Sequence, residues 1–174
     1  RRFFARTLQV PLEDVFLIDH HEAHAASAAM WPSWDRDALM VTLDGIGDGE
    51  SGSVWEWSET GATLRKLISI PGGASLGLFF EHVTNELQMR PLEDEGKVMA
   101  LASFAAETPA ATNPFLGWFS LSADAKGLPV LRCSVAPTRM ARAVASVIWC
   151  TPREQVCKMA QQTLQILVPR FFGM

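Results

Sequence analysis

Three of the chain's four histidines fall within five residues, in the stretch DHHEAHAASAAM that runs from Asp19 to Met30. Histidine pairs do metal chemistry when their rings can reach one point, and spacing decides that. His20 and His24 stand at i and i+4, one turn apart on the same helical face. His21 is rotated about 100° from them and is expected to be a bystander. The letters approach the zinc-binding pattern HExxH but fail it, because a second histidine counted from His21 would have to occupy the position of Ala25. Asp19 with Glu22 three residues later has the form of a capping box and predicts a helix starting at His20. Taken alone, the pair is also compatible with a capped helix whose histidines bond backbone or water.

A second group of residues lies in LDGIGDGES. Asp44 is expected where a strand gives way to an Asp-Gly turn, a position from which a carboxylate can hold a cation. Gly45, Gly47 and Gly49 would let the backbone turn or approach a ligand closely. The spacing does not match a calcium loop, and a Gly-rich hairpin remains the simple alternative. In EDEGK, Glu95 and Lys97 could line a ligand site, or could serve only the electrostatics of a helix start. His82, within LFFEHVTNEL, reads as a structural residue. The six tryptophans read as core or hairpin packing, and the cysteines receive no chemical role.

These residues need elements to hold them. VFLID, residues 15–19, and ALMVTLDG, residues 38–45, read as buried strands. SGSVWEWSET and ATLRKLISI alternate, with Thr60-Gly61 between them as a hairpin, so that three strands form an antiparallel meander. The histidine helix is expected to stop at Trp31-Pro32. Helices are expected through LFFEHVTNEL and KVMALASFA, then through PTRMARAVASVIWC and PREQVCKMAQQTLQILVPRFF, with Pro152 just inside the start of the last. Residues 105–130 show no clear period and read as a surface insertion. Strands followed by helices imply an α/β domain.

The chain has 174 residues, 48% apolar and 20% charged, which is sufficient for one globular domain with a core. A net charge of −4 without a basic run speaks against nucleic acid as a partner. No apolar stretch approaches membrane-spanning length. Three cysteines without CxxC spacing fit a reducing, cytoplasmic setting rather than a disulfide framework. The missing initiator Met and the ending at PRFFGM suggest an excerpt of a longer protein.

Three blocks in order, HHEAHAASA, VTLDGIGDGES and SLGLFFEHVTNELQMRPLEDEGKVMALA, closely resemble the carbamoyltransferases of the nodulation and antibiotic-tailoring type. The resemblance runs from about residue 15 to 104. It implies an actin-like ATPase fold of ribonuclease-H-like lobes, related to the tRNA threonylcarbamoyl-adenosine synthases, of which residues 1–174 would be a partial N-terminal domain. The carbamoyl-adenylate-forming domain would be absent. By that resemblance His20, His24 and Asp44 would hold a divalent metal, iron by analogy. Gly45, Gly47, Asp48, Glu95 and Lys97 would line the nucleotide or carbamoyl group. The implied reaction carries carbamoyl from carbamoyl phosphate, with ATP and through carbamoyl-adenylate, to a sugar or natural-product hydroxyl. Two other functions fit less of the sequence: threonylcarbamoyl transfer to tRNA, and a non-catalytic actin-like nucleotide-binding module. The chain departs from the family pattern at Ala100, where KVMALA replaces a glycine, and at GGASLG, where relatives often have Pro-His.

Overall fold

A computed structural model of the protein describes residues 1–30 and 36–172. The chain opens with a short helix, α1 (Arg2–Leu8), and the histidine helix, α2 (His20–Ala29). Three strands follow, β1 (Ala38–Gly47), β2 (Glu50–Ser58) and β3 (Thr63–Pro71), paired antiparallel in the order β1-β2-β3. This is the expected meander. Helices α3 (Leu76–Glu86) and α4 (Glu95–Leu101) come next, then a hairpin of β4 (Phe119–Ala123) and β5 (Pro129–Cys133). Helices α5 (Pro137–Ile148) and α6 (Arg153–Phe172) complete a mixed α/β arrangement of antiparallel strands with flanking helices.

The meander uses its two faces differently. Met40 and Thr42 of β1 are buried toward α2, whereas Leu39, Val41 and Leu43 are exposed. Across the ladder, Val54 of β2 pairs with exposed Val41 and with Ile68 of β3, and Val54 and Ile68 pack against the main core. That core gathers Phe79 and Val83 from α3, Val98 from α4, Val144 from α5 and Val156 from α6. Phe115 is fully buried and meets Phe79 edge-on, with ring centroids 5.2 Å apart.

Several expectations are corrected. Residues 15–19 form no strand: Val15 is buried, but Phe16, Leu17 and Ile18 are exposed. Apolar β-branched composition favours a strand only where a neighbouring edge is available to complete its hydrogen bonds, and among the described residues none pairs here. Residues 105–130 are not confined to the surface. Phe115 and Phe119 enter the core, and Asn113 stitches the segment to α6 by donating to the Met159 carbonyl at 3.0 Å and to Thr163 Oγ1 at 3.2 Å. The β4–β5 hairpin also lies partly in this stretch, with Gly127 at φ 79° in its turn. Pro152 precedes α6 rather than entering it, its carbonyl accepting the Val156 N–H at 3.0 Å. Trp55 is buried and Trp118 packs on Phe79 and Phe115, but Trp149 is exposed. Trp31-Pro32 and Trp34 lie outside the described residues. No helix among the described residues is long and apolar enough to cross a membrane.

Candidate metal centre

The histidine helix begins as its sequence requires. The Asp19 carboxylate accepts the N–H groups of His21 at 3.0 Å and Glu22 at 3.2 Å. The Glu22 bond foremost, then the nearby Lys66 ammonium and the His21 bond, hold the Asp19 carboxyl below the usual carboxylate range. The β1–β2 turn shares the task, because Asp48 Oδ2 accepts the His20 N–H at 2.8 Å. Asp48 does so at φ 52°, a left-handed conformation that aspartate adopts more readily than most residues.

One turn of helix carries His20 and His24 to Asp44 of β1. His20 Nε2 lies 2.7 Å from Asp44 Oδ2, His24 Nε2 lies 3.5 Å from the same oxygen, and the two ring nitrogens are 3.2 Å apart. Asp44 Oδ1 accepts the Gly45 N–H at 2.7 Å. The hydrogen bond from His20, followed by that from Gly45, holds the Asp44 carboxyl below its ordinary range. An ion about 2.1 Å from each donor would impose donor–donor edges of roughly 3.0–3.4 Å in octahedral or tetrahedral geometry. The triangle present needs shifts of only a few tenths of an ångström to meet that, and its two imidazoles and one carboxylate are a competent ligand set.

The family follows from comparison. Residues 4–119 match the family model described as carbamoyltransferase N-terminus. This chain belongs to that carbamoyltransferase family. Among curated proteins it is similar to the uncharacterized protein MJ1058 of Methanocaldococcus jannaschii, 38% identical over 104 residues, covering 53% of this chain and 17% of that protein. It is also similar to the nodulation protein NolO of Bradyrhizobium diazoefficiens, 37% identical over 87 residues, covering 50% of this chain and 15% of NolO. A third relative, the uncharacterized protein sll1178 of Synechocystis, is 33% identical over 86 residues, covering 49% and 14%. The matched part of the carbamoyltransferase chain thus spans about a sixth of these relatives' length.

The remaining expected site residues divide. Gly47 lies beneath the His20 ring, where a Cβ would come within 2.2 Å of it, so the ring's position requires glycine. Gly45 and Asp44 line a largely apolar cavity of about 400 Å³ that Glu95 also borders. Asp48 is engaged by the His20 N–H. Lys97 does not line that cavity; it is ion-paired with Asp94 at 2.7 Å and is largely exposed. Glu95 Oε1 accepts the Leu92 N–H at 2.8 Å, so the loop before α4 is tied to itself. The Ala100 methyl is exposed and meets no tight helix packing. His82 is half-buried on α3 and stands apart from the His20–His24–Asp44 group.

Sequence reading missed two residues that hold the Asp44–Gly45 backbone. Ser75 caps α3 by accepting the Leu78 N–H at 3.0 Å, and its hydroxyl donates to the Gly45 carbonyl at 2.6 Å. Gly77 allows α3 to lie against the Asp44–Gly45 backbone, since a Cβ there would stand 2.8 Å from the Asp44 carbonyl oxygen. A serine before an apolar helical run is a recognisable cap signal, but its second bond to a distant strand has no sequence signature. His21, expected to be a bystander to the pair, stands outside the His20–His24–Asp44 group and is fully buried.

Proposed function

We propose that the chain supplies the metal-holding part of a carbamoyl-transfer site within a longer O-carbamoyltransferase, whose N-terminal region has the actin-like, ribonuclease-H-like lobes. The substrates are carbamoyl phosphate and ATP, the carried form is carbamoyl-adenylate, and the acceptor is a hydroxyl of a sugar or natural product. The observation that carries this reading is the convergence of His20 Nε2, His24 Nε2 and Asp44 Oδ2 on one point in a chain of this family. The same three residues would hold the ion. The two imidazoles favour iron or zinc over magnesium. When bound, the metal supplies Lewis-acid polarisation of a carbamoyl or phosphate oxygen.

The chain's own residues do the positioning. Asp48 and Asp19 fix the start of α2, Gly47 makes room for the His20 ring, and Ser75 with Gly77 holds the Asp44–Gly45 backbone. The open space along His20, Ala23, His24, Ser27 and Asp48 offers one approach to the centre, and the cavity bordered by Glu95 also reaches Asp44. A net charge of −4 makes tRNA the less suitable acceptor.

The test is metal analysis of chelator-free protein together with transfer assays on the full-length enzyme. About one metal per chain is expected, lost in His24→Ala. Asp44→Asn, which preserves size and removes charge, should abolish transfer from pre-formed carbamoyl-adenylate while sparing its formation. Absence of metal from the native enzyme, or undiminished transfer by Asp44→Asn, would overturn the reading. Nucleotide binding without metal or transfer would instead identify a non-catalytic module.

A further inference from the structure

The histidine that no ligand role claims is the most enclosed of the three. His21, Ala25 and Ala29 are i, i+4 and i+8, and form the buried stripe of α2. Ala25 and Ala29 pack on Met40 and Trp55, but methyl groups make no directional contact. A stripe of alanines lets a helix approach closely without fixing its rotation. Turning α2 by one residue, about 100°, would carry His20 and His24 off Asp44 altogether.

His21 is bonded at both ring nitrogens to two different strands. Nδ1 is 2.9 Å from Thr42 Oγ1 on β1, and Nε2 is 3.1 Å from the Glu50 carbonyl oxygen at the start of β2. The chain of bonds continues from Thr42 Oγ1 to Ser53 Oγ at 2.8 Å, and from there to Trp55 Nε1 at 2.6 Å. A neutral imidazole donates from one ring nitrogen and accepts at the other, and the Glu50 carbonyl places the proton on Nε2. An indole N–H can only donate and a carbonyl can only accept. Trp55 Nε1–H therefore donates to Ser53, Ser53 donates to Thr42, Thr42 donates to His21 Nδ1, and His21 Nε2–H donates to Glu50. Thr42 Oγ1 also accepts the Ser53 N–H at 3.0 Å, so its capacity is filled. Buried polar groups satisfied this completely favour one arrangement over its neighbours, because any slip leaves several of them unpaired at once.

We propose that His21, bridged between Thr42 and the Glu50 carbonyl, is the positioning residue that fixes the rotation of α2 and thereby turns His20 and His24 onto Asp44. Its consequence for metal affinity rests on the metal-site reading of the preceding subsection; its geometry does not.

Two measurements test it. The chain has four histidines, so imidazole ¹⁵N spectra of the metal-free protein resolve each ring, with His82 as an internal reference. Native His21 should show the tautomer protonated at Nε2. Thr42→Val keeps the side-chain shape but removes the hydroxyl, and should shift the His20 and His24 signals while far-UV circular dichroism is retained. Thr42→Ser restores the hydroxyl and should restore the native signals. In cobalt(II) titrations, Thr42→Val should bind about 10- to 100-fold more weakly, as is typical when a group supporting metal ligands is lost, and Thr42→Ser within about twofold of native. A native His21 protonated at Nδ1, or averaging freely between tautomers, overturns the proposal without any variant. So does a folded Thr42→Val whose His20 and His24 signals match native. A native chain that takes up no cobalt would sink the metal reading, while the spectra still decide the role of His21.

Discussion

Two packed regions share the three-stranded sheet and are held by different physics. The main core, built from α3 to α6 and the inner face of β2 and β3, is mostly aromatic and aliphatic, with Phe79 in edge-on contact with both Phe115 and Phe119. The cluster under α2 is small: Ala25, Ala29, Met40 and Trp55, with the bonded chain from Trp55 to His21 running through it. Apolar burial is strong and non-directional, so the large core supplies stability without dictating ångström-level placement. The small cluster buries little and is specified by hydrogen bonds and by glycines that admit close contacts. Stability and placement are thus separable, and each can be broken with the other left standing.

The largest effect is expected in the main core. Phe115→Ala should destabilise the fold by about 3–5 kcal/mol, read as a Tm drop of roughly 10 °C, and should weaken cobalt binding only as far as the protein unfolds. Gly47→Ala is the converse experiment. Its Cβ would displace the His20 ring, which is partly exposed and can swing toward solvent. Cobalt affinity should fall at least about tenfold while thermal melts change by a few degrees at most; a large loss of Tm with intact binding would deny the separation. Ser75→Ala lies at the junction, since one hydroxyl caps α3 and holds the Gly45 carbonyl. It should cost about 1 kcal/mol and also loosen the Asp44 site, measurable as a modest fall in both Tm and cobalt affinity.

Smaller effects concern titration. The Lys97 ammonium, then the Arg90 N–H, hold the Asp94 carboxyl below its ordinary range. Such a group stabilises the fold above the ordinary carboxylate range and loses that contribution as pH falls through its lowered value. Asp94→Asn should therefore melt below native at pH 7, with the gap closing toward pH 2. Burial pushes the Cys157 thiol up to about 11, whereas Cys150 is exposed. At pH 8 a thiol reagent should label Cys150 quickly and Cys157 only on unfolding. Stability should decline as pH rises from the ordinary thiol range toward 11, because the unfolded chain ionises first.

Local periodicity and capping made the histidine helix, the meander and the late helices legible, since each depends on neighbours a few residues away. The i, i+4 spacing of His20 and His24 likewise fixed that they would share a face, and the family blocks pointed to Asp44. VFLID misled because its composition describes a strand whose partner must come from elsewhere. Residues 105–130 misled because Phe115 and Asn113 have no periodic companions, and their burial depends on α3 and α6, 30 to 50 residues distant in sequence. His21 shows the same limit most clearly. Spacing alone determined that it would turn away from His20 and His24, but whether that direction was solvent or interior was decided by where β1 and β2 lay. Side-chain direction along one helix is a local property of 3.6 residues per turn; burial and hydrogen-bond partners are set by long-range packing, which only the tertiary structure supplies.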